Sequence, residues 1–399
     1  MMPGLSSSFK KHRLYSDFLQ VKARLGKHQF VCWVAGGAVR DLYLGREVCD
    51  FDLVTDAATE NLKLIFPEAI PVGESFGVLK IPLANGEIFD LATFRQESDY
   101  IDGRRPSAVS ASTPLEDAKR RDFTVNALYW DEQNQVLIDY VGGVQDLTRQ
   151  RLICVGDALV RFTEDHLRII RLLRFSAQLK FSIEEKTLAA AVLLLPKIKS
   201  VSGERLWVEF KKLASAHNWN FVLSSTLFQL FIKEIFACEL PLLELKKHNI
   251  STVKAEDFLD LFFILAKLPK PTDEVRKILK DRLKLAKAEL ISFDLMLFAL
   301  LQLRDMPVTD VTLLVEKKPE LKAILHYLSR LGIFESSLVS EIEQLLKSYP
   351  HSLVSGDEIS THLHGPMISQ TLDEIRGLQL AGKLSSKEEA MQLIKNKKR

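Results

Sequence analysis

The sequence predicts an α+β protein, a mixed-sheet head followed by an all-helical remainder. Three observations carry this. Short apolar runs such as "FVCWVA" (30–35), "CDFDLVT" (49–55) and "EIFDLATF" (87–94) read as strands alternating with helical stretches up to about Gly156. From Val160 to Lys347 the apolar residues recur almost entirely at helical spacing. Breaks fall at Pro196, at "LPKP" (268–271) and at Pro307, where helices would end.

Taken in order, an amphipathic helix is expected near Leu14–Leu25, then the buried strand "FVCWVA". "GGAVRDLYLG" gives a turn and a short helix ending at Gly45, "CDFDLVT" a strand, and "ENLKLIF" a helix. "FGVLKIPL" and "EIFDLATF" read as strands joined at "ANGE", because Asn-Gly suits the backbone angles of a tight hairpin. "SYPHSLVSGDEIS" (348–360) reads as a linker before a polar helical tail ending in "KNKKR".

A chain of 399 residues exceeds one small core, so two to four domains are expected. With 54 Lys+Arg against 52 Asp+Glu the net charge is +2, which does not announce a nucleic-acid binder, although a basic stripe can hide in a balanced total. Cys32, Cys49, Cys154 and Cys238 lack CxxC or zinc spacing and read as free thiols of a reducing compartment. The N-terminus lacks the apolar core of a signal peptide, and the greasiest run, "LMLFALL" (295–301), is far short of a membrane span. A cytoplasmic protein with no membrane partner is expected.

The chemistry concentrates in "GGAVRDLYLGREVCDFDLVT" (36–55). Residues i and i+2 of a strand face one side, about 6.5–7 Å apart, so Asp50 and Asp52 would present paired carboxylates while Phe51 packs inward. Hard oxygen ligands at that spacing suit Mg²⁺, with water and substrate phosphates completing its shell. Asp90, ending "IFD" in a neighbouring strand, could supply a third catalytic carboxylate, and two metals about 3.5–4 Å apart could then serve phosphoryl transfer. Gly36 and Gly37 would leave backbone N–H groups uncovered at a helix N-terminus, where a triphosphate is favoured, and Arg40 would add a charged fork. The bland alternative is a solvated turn carrying surface aspartates; a DxD alone does not separate the two.

"GGAVRD" followed by "DFD" resembles motif A of the nucleotidyltransferases that include the bacterial class II tRNA nucleotidyltransferases (CCA-adding enzymes) and poly(A) polymerases. Further motifs follow in that family's order. "DGRRPSAVS" (102–110) resembles the flexible segment, "RRDFTVNAL" (120–128) the ribose-contacting motif B, and "DYVGGVQDL" (139–147) the head-to-neck connection. "EDHLRIIRLLRF" (164–175) resembles the nucleotide-selecting helix and "SGERLWVEFKKL" (202–213) the last neck motif. The match covers about the first 215 residues; beyond them the likeness is only in being helical.

The resemblance implies a nucleotidyltransferase head over 1–156, a helical neck over 157–215, and RNA-binding helical body and tail over 216–347 and 348–399. It implies Mg²⁺ on Asp50 and Asp52, CTP and ATP as substrates, and the acceptor and T-stem region of tRNA as partner. Arg121 becomes a nucleotide contact, with Asp122 and Asn126 offering an acceptor and a donor to a ribose hydroxyl; for Asp122 helix capping is a serious competitor. Asp165 and Arg168 stand at i and i+3 on a helix that Thr163 would cap. Spacing alone favours an intrahelical salt bridge. In the family position the pair becomes a template, Asp accepting from the exocyclic amine of cytosine or adenine and Arg donating to a ring nitrogen. Arg171 and Arg174 would extend the basic side toward triphosphate or primer. Glu204 and Arg205 read as scaffold, and His362 and His364 as a solvated loop.

The apolar stripes "DFLDLFFILAKL" and "FDLMLFALLQL" are core faces of packed helices. Lysine-rich faces around "KAEDF", "RKILKDRLKLAKAE" and the C-terminal "IKNKKR" could follow an RNA backbone, although most such charge merely solvates. The expected activity is template-independent addition of CCA to the tRNA 3′ end, with release of pyrophosphate. The nearest rivals are a poly(A) polymerase or a partial CC- or A-adding enzyme. The stretch "VGESFGVLKI" and the short tail favour CCA addition, and the intact "DGRRPSAVS" argues against a CC-only enzyme. Two further rivals are a catalytically silent RNA binder and a small-molecule nucleotidyltransferase. Retention of DFD, GGAVRD and EDxxR argues against the first; the helical body and EDxxR are unexplained by the second.

Overall fold

A three-residue strand sets the geometry of the first half of the chain. β1 (Trp33–Ala35) stops where Gly36 turns the backbone at φ 70° into helix α3 (Gly37–Tyr43). Its antiparallel neighbour β2 (Asp52–Thr55) pairs Ala35 with Asp52 and has no partner on that side before Asp52. The strand therefore starts one residue after Phe51, and Asp50 lies outside it, contrary to the expectation of two aspartates on one strand face. The preceding backbone is held by side chains instead: Arg13 donates to the Cys49 carbonyl at 2.8 Å, and the His12 ring lies 2.9 Å from the Val48 carbonyl.

The computed structural model describes residues 3–71, 78–83, 85–100, 106–216, 219–248, 250 and 259–397. They fall into two units, Met1–Ile235 and Phe236–Arg399. In the first, after helix α4 (Thr59–Ile65), come strands β3 (Ile70–Pro71), β4 (Val78–Pro82) and β5 (Ile88–Thr93). β4 and β5 form the expected hairpin, with Gly86 at φ 85° in its turn. β6 (Arg95–Tyr100) and β7 (Pro106–Ala111) make a separate hairpin, so the C-terminal part of "DGRRPSAVS" is strand; residues 102–105 lie outside the described residues, as do 72–77 of "VGESFGVLKI". Helix α5 (Pro114–Lys119) leads to β8 (Leu128–Asp131) and β9 (Val136–Asp139).

The main sheet has seven strands in the order β3-β4-β5-β2-β1-β8-β9. It is mixed because β2 and β5 run parallel, with Asp52 opposite Asp90, while the other pairings are antiparallel. One face is covered by helices α1 (Pro3–Lys11) and α2 (Tyr15–Gly26), whose Phe9 and Phe18 close on buried Phe51; the Phe9–Phe51 rings stack at 5.1 Å. α1 escapes sequence periodicity because only Leu5 and Phe9, one turn apart, are its buried apolar anchors.

Beyond helix α6 (Gly143–Thr148) and a two-residue strand β10 (Arg151–Leu152) the unit becomes helical: α7 (Ala158–Glu164), α8 (Leu167–Leu179), α9 (Glu185–Leu194) and α10 (Gly203–Ala214). α8 is buried along most of its length and packs against α10.

The second unit is helical throughout its described elements, as the apolar stripes predict. "KAEDF" (254–258) and the last two residues lie outside the described residues. The expected linker at 348–360 is overturned. Gly356–Ser360 is a helix with a Ser355–Glu358 capping box, and Val354 and Ile359 are buried with Leu363, Ile375, Leu384, Ala390 and Ile394. Arg376 fixes the preceding turn by donating to the carbonyls of Tyr349 and His351 at 2.5 and 2.9 Å. The polar, Ser- and Pro-containing composition concealed a local core whose apolar residues come from three helices and the segments that join them. His362 and His364 have no described acidic cluster around them; the His362 ring shares a hydrogen bond with Thr361.

Candidate active site

Where the sheet of the first unit meets α8 and α10, a cavity of about 690 Å³ opens. Its size is that of a small-molecule or nucleotide site. Gly36, Gly37, Arg40, Asp50, Asp52, Arg121, Asp122, Asn126, Asp165, Arg168, Arg171 and Arg174 all line it. Residues separated by up to 138 positions in the chain are thus brought together. Asp90 does not line it: its carboxylate turns to Lys80, at 2.7 Å, although its backbone is in register with Asp52.

The carboxylate end consists of Asp50, just before β2, and Asp52, its first residue. Burial by the surrounding protein and the charge of Asp50 raise the Asp52 carboxyl above its usual value, and Arg121 pulls it partly back. A carboxylate whose ionisation is disfavoured by burial and by a neighbouring carboxylate makes a site that a hard cation would relieve. Among the described residues no three His, Cys, Asp or Glu side chains converge as a metal cluster. The donor set therefore fits a cation held by two carboxylates plus substrate oxygens.

The glycine turn works differently from the expectation. The Gly36 N–H donates to the Leu128 carbonyl at 2.9 Å, so it belongs to the sheet and is not open to a phosphate. What Gly36 provides is space: a Cβ there would sit 3.0 Å from Arg121 Nη1, on a backbone with φ 70°. Arg40 is buried and committed, with Nε and Nη2 on Asp41 at 2.9 and 2.6 Å and Nη1 on Asn126 Oδ1 at 2.5 Å.

Asn126 passes the network on, its amide donating to Asp122 Oδ1 at 3.1 Å. Asp122 is no helix cap. Burial opposes its ionisation, but the Arg171 charge and the hydrogen bonds from Asn126 and Arg171 hold its carboxyl far below the usual range. Buried Glu209 of α10 then receives Arg174 Nε at 2.6 Å and Arg171 Nη1 at 3.5 Å. A continuous line of alternating charge runs from α3 to α10.

Asp165 and Arg168 do not form the intrahelical pair that their spacing suggested, and Thr163 is not a cap. The helix breaks at Asp165 (φ −144°, ψ 104°): Thr163 belongs to α7 and Arg168 to α8. Asp165 Oδ1 accepts the Leu167 N–H at 3.1 Å and so starts α8, while Oδ2 accepts Arg205 Nη2 at 2.7 Å. Arg168 Nη1 bonds Glu164 at 2.6 Å and its Nη2 the Arg120 carbonyl at 2.9 Å. Each member has its own support, which leaves the two side chains independently fixed on one cavity wall.

Arg205, read as scaffold, both supports Asp165 and lines the cavity, and its Nη1 is a buried donor without an acceptor. Lys212, Arg120, Arg95 and Phe175 also line the cavity without having been singled out in the sequence. A signal existed for part of this set: Arg205 and Lys212 stand at i and i+7 on one face of α10, with Glu209 of the charge network at i+4 between them.

Residues 32–153 match the family described as Poly A polymerase head domain, and residues 180–223 that described as Probable RNA and SrmB- binding site of polymerase A. A CCA-adding enzyme of Lactococcus lactis subsp. lactis is 43% identical over 216 residues, 53% of this chain and 54% of that protein. One from Bacillus licheniformis is 39% identical over 249 residues, 62% and 61% of the two chains. The chain thus aligns with between half and two thirds of the length of these curated relatives. A crystal structure of Bacillus stearothermophilus CCA-adding enzyme in complex with CTP superposes with TM-score 0.74 at 23% identity, covering 97% of this chain and 98% of that one. The Thermotoga maritima CCA-adding enzyme complexed with tRNA gives TM-score 0.70 at 22% identity, with 99% of both chains covered. At such identities the likeness establishes a shared fold. The resemblance to the tRNA nucleotidyltransferase and poly(A) polymerase family, read from motifs in the first 215 residues, is carried by the family models and the curated relatives, and the solved structures share the fold.

Proposed function

We propose that this chain is a tRNA nucleotidyltransferase that adds CCA to tRNA 3′ ends from CTP and ATP without a nucleic-acid template. The observation that carries the reading is a single cavity holding Asp50 and Asp52 at one end and the Asp165–Arg168 pair on another wall. The first is equipment for phosphoryl transfer and the second for reading a base. The CCA-adding activity of the relatives supports the same reading.

Asp50 and Asp52 would hold Mg²⁺, which when bound neutralises phosphate charge and sharpens the nucleophile. The primer 3′-hydroxyl attacks the α-phosphorus in line and pyrophosphate leaves. Arg121, beside Asp52, faces the phosphates. Asp122 and Asn126 reach the ribose once Arg171 yields part of its hold on Asp122. Asp165 keeps lone pairs for the exocyclic amine shared by cytosine and adenine, and guanine and uracil present a carbonyl there, at a cost of about 1–3 kcal/mol. Arg205 orients that carboxylate. Arg174 extends the cationic wall toward triphosphate or primer.

The domain assignment follows: catalytic head over 1–156, neck over 157–215, and body and tail that hold the acceptor and T-stem of tRNA by shape and phosphate contacts. The setting is cytoplasmic. The test uses tRNA transcripts ending before CCA, after C and after CC, with Mg²⁺ and CTP, ATP or both, read at single-nucleotide resolution. Three residues and then a stop is the expected result. Two cytidines only, one adenosine only, or a long adenosine ladder would replace it with a CC-adding, A-adding or poly(A) activity. No extension on any substrate would overturn nucleotidyl transfer altogether.

A further inference from the structure

Asp117 is a fully buried carboxylate beside the cavity, and it does not line it. Its Oδ1 receives Nε and Nη2 of Arg120 at 2.9 and 2.6 Å. Its Oδ2 receives Nε and Nη2 of Arg121 at 3.2 and 3.1 Å, and the Tyr129 hydroxyl at 2.7 Å. That hydroxyl in turn accepts Arg121 Nε at 3.0 Å, and the Arg121 guanidinium lies over the Tyr129 ring at 4.9 Å.

Consecutive residues at the end of a helix diverge by about 100°. Arg120 and Arg121 directly follow α5, and left to themselves their side chains would point apart. One carboxylate, placed three and four residues earlier, gathers both. Both guanidiniums consequently line the cavity, and Arg121 Nη1 reaches the Asn126 carbonyl at 3.3 Å, next to Gly36. Stability alone does not account for a carboxylate at this position, because a well-packed apolar side chain commonly serves a core as well as a buried ion pair does. Orientation of two cations toward one cavity wall does account for it.

We propose that Asp117 is a positioning residue that, with Tyr129, aims Arg121 and its neighbour Arg120 at the triphosphate of the incoming nucleotide. The proposal rests on the nucleotidyltransferase reading above. Burial disfavours the charged form of Asp117, yet the two arginines and the Tyr129 hydroxyl outweigh it and hold its carboxyl at about 2, so the clamp stays charged throughout the working range of pH.

The experiment is a double-mutant cycle of Asp117→Asn and Arg121→Ala on the full chain, read as KM for CTP and for ATP, KM for tRNA, and kcat. Asp117→Asn is expected to raise both nucleotide KM values about ten-fold and leave the tRNA KM within about two-fold. In the Arg121→Ala background most of that factor should vanish, because there is no longer an Arg121 to aim. The same factor in both backgrounds, or an equal rise in tRNA KM, overturns the proposal and leaves Asp117 a stability residue. Tyr129→Phe, which deletes one oxygen, is run in the same cycle and should raise nucleotide KM about two- to five-fold only while Arg121 is present. Should Asp117→Asn lack a cooperative melt, the Tyr129 cycle decides by the same criterion. Failure of the underlying reading looks different: the wild-type chain would then extend no tRNA with any nucleotide.

Discussion

Arg171 donates Nε and Nη2 to a single oxygen of Asp122, at 2.8 and 2.6 Å. The other oxygen takes the Phe123 N–H and the Asn126 amide, so the four acceptor positions of the carboxylate are engaged. Asp122→Ala is therefore expected to lose about 1.5–3 kcal/mol in urea denaturation, because Arg171 keeps the long 3.5 Å contact to Glu209 and the face of the Phe175 ring in place of two short charge-assisted bonds. The sign in pH follows from the depressed carboxyl. The Asp122 contribution is fully present above its unfolded value of 3.8 and is lost as pH falls through the lower folded value. Wild type and Asp122→Ala should thus converge in stability toward strongly acidic pH.

Asp52 has the opposite sign. Its folded carboxyl is raised, so what it contributes to stability is present below 3.8 and is lost as pH rises through the folded value. Asp52→Asn should abolish nucleotide addition and yet melt at a higher temperature than wild type at neutral pH with chelator present. The gain should disappear in acid. A lower Tm at neutral pH would contradict the electrostatic account of the pair.

Gly143 faces a backbone wall: a Cβ there would lie 2.2 Å from the Thr124 carbonyl oxygen. No side-chain rotation can relieve that contact, and the 124–126 turn carries Asn126. Gly143→Ala should cost about 1–3 kcal/mol or more and lower nucleotide addition together with stability. At Gly36 the space is limited only by the end of a flexible side chain, but φ 70° with ψ −130° is a backbone that other residues scarcely adopt, so Gly36→Ala should also cost about 1–3 kcal/mol and raise nucleotide KM.

Ile359 is fully buried in the local core of the C-terminal helices. Ile359→Ala should destabilise by about 2–4 kcal/mol, seen in thermal unfolding, whereas a residue of a solvated linker would cost almost nothing. The measurement separates the observed helix from the sequence expectation for this segment.

The hairpin at Asn85–Gly86, the helix after Gly37 and the helical second unit were legible because each rests on a local rule: turn angles, a glycine start, apolar spacing at 3.6 residues. Asp52 was placed correctly on a strand and Phe51 in the core. Asp50 was not, because β2 begins where β1 provides a partner, and β1 ends for a reason fourteen residues earlier, at the Gly36 turn. The helix through Thr163 and Asp165 read as continuous because a break without Pro or Gly leaves no mark on periodicity. It exists because Arg205, forty positions later, holds Asp165 in an extended conformation.

By itself the sequence determined the α+β class, the family resemblance of the first 215 residues, and about half of the residues that line the cavity. Residue type and short spacing carry that information, since charge, hydrogen-bonding capacity and backbone freedom are properties of each residue alone. The tertiary structure decided which partner each charged group takes. Arg168 chose Glu164 over Asp165, Asp165 chose Arg205, Asp90 chose Lys80, and Asp117 gathered two arginines behind the cavity wall. Arg205 reaches Asp165 from forty positions away, Asp117 and Arg168 are buried where an unpaired charge is costly, and Asp90 meets Lys80 because their strands pair in register.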